Sequence, residues 1–262
     1  MTIGIGGMAT AIAIVAALAI VLVFVLPLER LLARWRSRVE AERRAGYAAL
    51  AARFGLTVEE SPEPSLAAEF PELAFVLSGP AAALVRGTVR SRDGAEIDVV
   101  AGEFLAPMPN LSARPGSPRA SVPVAFVILG PRAGRMPSLS ILPEAEPGTL
   151  VAFLSAAEEA VRPRDIDFES VEFSRRFHVA GDDRRFAYDL IDAAMIEHLL
   201  AASPDPVAWI RGDRVLLHRY GLAPAGPEAV ASLLGWGLEF AARIPRVVRD
   251  GLANGRYGRD SS

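Results

Sequence analysis

The chain has 262 residues, 51% hydrophobic and 23% charged, enough apolar material for a sizeable core and too much for a disordered chain. Its net charge of −3, from 28 basic and 31 acidic residues, gives no global basic footprint and excludes nucleic acid as an expected partner. There is no cysteine, which removes disulfides, thiolate metal sites and cysteine nucleophiles; there is no lysine either, which removes Schiff-base and lysine-base chemistry.

Met1 to Leu28 carry no charged side chain, and from Ala11 the run reads AIAIVAALAIVLVFVLPL. This segment accounts for most of the mean hydropathy of +0.28. Taken as a helix from Ile5 to Leu28 it reaches roughly 36 Å, against about 30 Å of bilayer hydrocarbon. The pattern predicts a transmembrane anchor over 1–28. A cleaved signal peptide needs a basic start, a shorter apolar core and a small-x-small cleavage site, and none is evident. No Arg precedes the span, whereas Arg30, Arg34, Arg36, Arg38, Arg43 and Arg44 follow it. The positive-inside rule then places the C-terminal part in the cytoplasm, at the plasma membrane, as a single-pass protein. Arg30, Arg34, Arg36 and Arg38, with Trp35 as an interfacial aromatic, are candidate contacts to the lipid surface. Partners expected on this reading are the lipid bilayer and a membrane protein.

A juxtamembrane helix is predicted over 29–55, with apolar positions at Leu31, Leu32, Trp35, Val39, Tyr47, Leu50 and Phe54 and a stop at Gly55. Ser61 to Ser65 mark a turn before a short helix near Leu66–Phe70. Leu84–Arg90 and Ala95–Phe104 alternate around Asp93-Gly94, which predicts a hairpin. Leu105–Ser121 reads as a loop. Val122–Leu129 reads as a central strand, with Pro123 at its start or an edge. Ser138–Leu142 is a shorter strand, and a helix is expected over Thr149–Val161.

The alternation of Phe173, Phe177 and Val179 suggests a strand. Asp182 or Asp183 is placed to cap the helix that follows. Two helices are predicted near 183–191 and 193–202, then a hairpin of Val207–Ile210 and Val215–Tyr220, then a helix over 227–242. The Arg-rich tail, 243–262, is expected to fray, or to return to the membrane surface as an amphipathic segment. The element order does not alternate regularly. The fold class is therefore α+β: antiparallel sheet with flanking helices over 56–242, behind the transmembrane helix.

Phe173 to Leu200, FSRRFHVAGDDRRFAYDLIDAAMIEHLL, resembles a block in uncharacterised, mostly actinobacterial, membrane-anchored proteins. There F-x-R-x-F-x-V, D-D-x-R-F-A and an L-x-x-x-M-x-x-x-L helix follow one another; a similar block occurs in the DUF3137 group. The likeness extends to Arg53-Phe-Gly55, Phe70-Pro71 and Arg86-Gly87, and departs at the Pro-rich Pro107–Pro118. It implies an architecture and no chemistry.

The sequence carries no G-x-S-x-G, Walker loop, HExxH or S-x-x-K. The three histidines, His178, His198 and His218, have no metal-ligand spacing, and Glu197 and His198 are adjacent and do not share a helix face. Asp182-Asp183 and Glu169/Glu172 are the candidate carboxylate pairs, with helix capping the simpler role for the first. Arg175, Arg176, His178, Asp182 and Asp183 form the one candidate polar cluster, in which Arg175 or Arg176 faces solvent or pairs with Asp182 or Asp183. No cofactor is expected. The reading is a membrane-anchored, non-enzymatic binding or scaffold module, with a membrane-associated hydrolase or lipid-modifying enzyme and a lipid-binding domain as alternatives.

Overall fold

The computed structural model describes residues 26–59, 84–91, 94–107, 121–144, 166–203, 205–219 and 226–257. The predicted span up to Val25 and the helices predicted near 66–70 and 149–161 lie outside them. Among the described residues no helix is long and apolar enough to cross a membrane.

The chain divides into two compact units, Met1–Ala45 and Gly46–Ser262. In the first, helix α1 is described over Leu26–Phe54 and covers the predicted juxtamembrane helix. Its exposed surface carries the i,i+4 pairs Arg38–Glu42 (3.1 Å) and Arg44–Glu40 (3.4 Å). In the second unit α1 ends as predicted at Gly55, whose φ of +68° is left-handed and favours glycine. The Leu56 N–H then donates to the Ala51 carbonyl at 2.8 Å, the six-to-one bond of a Schellman stop.

Among the described residues the second unit has eight strands: β1 (Thr57–Glu59), β2 (Leu84–Arg90), β3 (Glu96–Pro107), β4 (Ser121–Gly130), β5 (Met136–Pro143), β6 (Phe177–Gly181), β7 (Val207–Gly212) and β8 (Arg214–Arg219). They form one antiparallel sheet in the order β1-β2-β3-β4-β8-β7-β5-β6. The α+β class and the antiparallel sheet agree with expectation. Strands β3 and β4 extend into the predicted loop, pairing Leu105 with Pro123 and Pro107 with Ser121. Among the described residues β8 pairs with β4 only from Ala125 onward, so no described partner strand needs a Pro123 N–H on that side.

Register separates two faces. One row runs Val58, Val85, Ala101, Val127, Leu217, Ala208, Ile141, Val179 across all eight strands. The opposite row runs Thr57, Arg86, Val100, Ile128, Leu216, Trp209, Ser140, Ala180 in the same order. Ala101, Val127 and Leu217 in the first row are buried, and so are Ile128, Leu216 and Trp209 in the second. Burial on both faces explains why β4 reads as a continuous apolar run and not an alternating one.

Helices α2 (Val171–Arg176), α3 (Arg184–Leu190), α4 (Ala193–Leu200), α5 (Pro227–Ala242) and α6 (Arg246–Ala253) complete the described elements. Helix α5 lies close over the first face: a Cβ on Gly237 would come within 2.5 Å of Leu217 Cδ1. Leu217, Val127, Leu129, Phe186, Leu190, Met195, Leu233 and Phe240 belong to one core cluster.

Two expectations need correction. The strand suggested at Phe173 is helix α2, started by Ser170, whose Oγ accepts from Phe173 N at 3.3 Å; extended backbone begins only at Phe177. A spacing of four satisfies both periods, and the helical turn stacks Phe173 on Phe177 at 5.4 Å. The tail, expected to fray from Arg243, instead continues the core: Ile244 and Val248 are buried on entry to and within α6, and Tyr257 Oη donates to Asp189 Oδ2 at 2.9 Å.

The loop between β4 and β5 joins strands separated by two others. The six Cα–Cα steps from Gly130 to Met136 reach at most about 20 Å, against about 14 Å for three strand spacings. The loop therefore has little slack. Arg132 adopts φ +48° within it and is held by Glu96 Oε2 at 2.6 Å and Asp98 Oδ1 at 3.0 Å. The guanidinium holds the Asp98 carboxyl below its usual range.

Candidate functional site

Helix α1 supplies the first candidate surface. Leu31, Leu32, Trp35 and Val39 are exposed. At about 100° per residue they share one arc of roughly 100°. Arg34 and Arg38 flank the arc on one side and Arg36 on the other, all exposed. Arg38 Nε also donates to Glu42 Oε1. Arg30 lies on the same helix. An apolar stripe bordered by guanidinium groups is suited to the boundary between headgroups and water, where rings and aliphatic stems bury and charges meet lipid phosphates.

The sequence-predicted polar cluster resolves into separate tasks. Arg175 is exposed on α2. Arg176 turns to the end of α4: its Nη1 donates to the Leu200 carbonyl and its Nη2 to the Ala202 carbonyl, each at 2.6 Å, while Nε donates to Asp205 Oδ1 at 2.9 Å. Nη2 also pairs with Asp205, which raises the Arg176 pKa. A cation on the last carbonyls complements the helix dipole. The partner is thus Asp205, not Asp182 or Asp183. Asp183 caps α3, its Oδ1 accepting from Phe186 N at 2.9 Å. Asp182 is exposed, and its N–H donates to the Ser138 carbonyl at 3.0 Å. His178, partly buried on β6, pairs in register with Leu142.

Among the described residues no three His, Asp or Glu side chains gather as a metal site. Glu169 and Glu172 are both exposed. Glu169 lines an open cleft of about 320 Å³ with Asp167, Phe168, Ser170, Tyr188 and Ile196.

Sequence reading missed the partners of the buried polar groups. Tyr47 Oη donates to Glu103 Oε2 at 2.7 Å between α1 and β3, both side chains buried. The signal was Glu103 falling in phase with the inward Ile97, Val99 and Ala101. His218 is buried on the opposite face of the sheet, where its Nε2 accepts from Trp209 Nε1 at 3.3 Å and Phe104 meets it edge-on at 6.4 Å. Burial pushes its pKa down to about 3.

The third histidine lies in a different setting. His198, near the end of α4, stacks on Trp236 of α5 at 4.7 Å with the rings 8° from parallel. Phe240 borders both rings, at 6.5 Å from His198 and 5.7 Å from Trp236. The Arg219 guanidinium, at the end of β8, sits over the Trp236 ring at 5.6 Å. Burial, and then the charge of Arg243, lowers the His198 pKa; a hydrogen bond to the Trp236 backbone works the other way. Burial likewise lowers that of Arg219, opposed by the charge of Asp205.

No family model matches this chain, and no curated protein does. Among solved structures, the crystal structure of the mycobacterial trehalose monomycolate transport factor A, TtfA, is similar over 79% of this chain and 97% of its own, with a TM-score of 0.49 and 12% identity. A likeness at that level assigns no ligand or partner here.

Proposed function

We propose that the chain is a single-pass membrane-anchored binding or scaffold module, its folded unit held at the cytoplasmic face of the plasma membrane. The anchor is the uncharged run over 1–28, and the inner side is set by the arginines that follow it. Kinship with the membrane-anchored proteins resembled by the Phe173–Leu200 block belongs to the same proposal. The observation that carries the reading is the exposure of Leu31 (63%) and Trp35 (61%) on α1, among Arg34, Arg36 and Arg38. Lone surface apolar residues need no explanation, but four on one arc beside a cationic border fit a lipid surface. Tethering raises the effective concentration of a weakly binding domain for membrane partners.

The absence of cysteine makes the test clean. A Ser261→Cys variant should react with an impermeant thiol reagent in inverted vesicles and not in intact cells. A Trp35→Cys variant carrying a polarity-sensitive dye should be quenched by spin-labelled lipid. Recovery of the protein in the aqueous fraction after alkaline extraction refutes the anchor; labelling of Ser261→Cys from outside intact cells refutes the orientation.

A further inference from the structure

Among the described residues, His198, Trp236 and Arg219 present three side-chain nitrogens that are buried and have no hydrogen-bond partner: His198 Nε2, Trp236 Nε1 and Arg219 Nε. Buried polar atoms in folded proteins are nearly always paired, so three in one stacked group call for a missing partner. The His198 side chain is itself more than nine-tenths buried. The three nitrogens come from α4, α5 and β8, so the group is built by the tertiary fold and not by one loop.

The charge balance identifies the kind of partner. Arg219 is half-buried and makes no ion pair among the described residues. The acid whose field reaches it, Asp205, is engaged by Arg176. The neighbouring Arg243 adds a second positive charge, with Glu239 Oε2 at 3.2 Å from its Nη1. Water satisfies the orphan nitrogens but leaves a half-buried guanidinium without a counter-charge, whereas an anion supplies one. Arg219 Nε and Trp236 Nε1 are donors, whereas His198 Nε2 is an acceptor in the neutral imidazole that burial favours. A hydrogen phosphate offers oxygens to the two donors and an O–H to His198 Nε2, whereas a carboxylate offers only oxygens.

We propose that His198, Trp236 and Arg219 form a binding site for a phosphate group, with Phe240 as the apolar wall beside it. The site lies within Gly46–Ser262 and does not depend on the membrane reading. The phosphate has two possible sources, free in solution or in the headgroup of an anionic phospholipid, and the experiment separates them.

The chain has three histidines, so ¹³C-histidine labelling gives three imidazole signals, with His198→Gln assigning the relevant one. Inorganic phosphate titrated into the detergent-held full chain should move the His198 signal selectively and saturably, leaving His178 and His218 as controls for the fold. Arg219→Gln should weaken the response by roughly ten- to a hundred-fold, the value of a charge-assisted hydrogen bond. Trp236→Phe keeps the ring, removes the N–H and should weaken it less; it serves if Arg219→Gln does not fold. In phosphate-free buffer, a His198 shift in phosphatidylglycerol nanodiscs but not in phosphatidylcholine ones assigns the headgroup source. A shift only with added phosphate assigns the free anion. No selective shift in either arm overturns the site, and an equal response to acetate overturns the choice of phosphate.

Discussion

His218 makes the stability of the folded unit depend on pH in a calculable way. Its pKa is about 3 in the fold, pushed down by complete burial, against about 6.5 in an unfolded chain. A base whose pKa falls on folding binds fewer protons in the native state. Its contribution is therefore fully present above about pH 6.5 and drains as pH falls toward 3. Protonation also turns Nε2 from acceptor to donor and breaks the bond from Trp209 Nε1. The slope approaches about 1.4 kcal/mol per pH unit, so this one group removes about 2 kcal/mol between pH 6.5 and pH 4.5. That is a large part of the stability of an ordinary domain. The assay is urea unfolding of the detergent-held full chain by near-ultraviolet circular dichroism, wild type against His218→Gln. The amide oxygen keeps an acceptor in reach of Trp209 and does not titrate. The wild type should lose its advantage over the variant by about 2 kcal/mol across that interval. Parallel curves refute the reasoning, because they mean that His218 is hydrated or already charged in the fold.

Other expectations follow from single contacts. Arg176→Ala removes the cation that holds the last carbonyl of α4, Leu200, and that of Ala202 just beyond it, and leaves Asp205 without it; a loss of about 1–2 kcal/mol and faster hydrogen exchange in α4 should result. Gly251→Ala puts a Cβ within 2.5 Å of the Tyr257 ring; the ring should swing out, lose its bond to Asp189 and cost about 1–3 kcal/mol, seen as a lower melting temperature and rapid proteolysis at the C-terminus. Gly55→Ala keeps open space around the new Cβ but strains a left-handed residue, for a loss of about 1–2 kcal/mol by the same unfolding assay. At the β4–β5 loop, stability linked to Asp98 is present above its unfolded pKa and is lost as pH falls through its lowered value; high salt should weaken the linkage, since the Arg132 contact is exposed.

What was legible in the sequence was what short-range geometry fixes. Gly55 stopped α1, one of the pair Asp182 and Asp183 capped α3, alternation placed both hairpins, and the apolar run of β4 marked a central strand. Each rests on backbone angles or periodicities contained within about ten residues. The spacing from Phe173 to Phe177 misled because four residues close both a helical turn and two strand repeats.

The chain alone determined its α+β class, the long uncharged opening and the element types other than the helices at Val171–Arg176 and Arg246–Ala253, since local sterics and side-chain period act within a segment. The tertiary structure alone decided which partner each polar group takes. Arg176 found Asp205 and not the nearer Asp182, Tyr47 reached Glu103 across 56 positions, and His198 met Trp236 and Arg219 from three elements. Likewise only packing turned an Arg-rich tail into a helix that buries Val248 in the core. Such choices depend on which surfaces the whole sheet brings into contact, and no window of the sequence contains both sides of that contact.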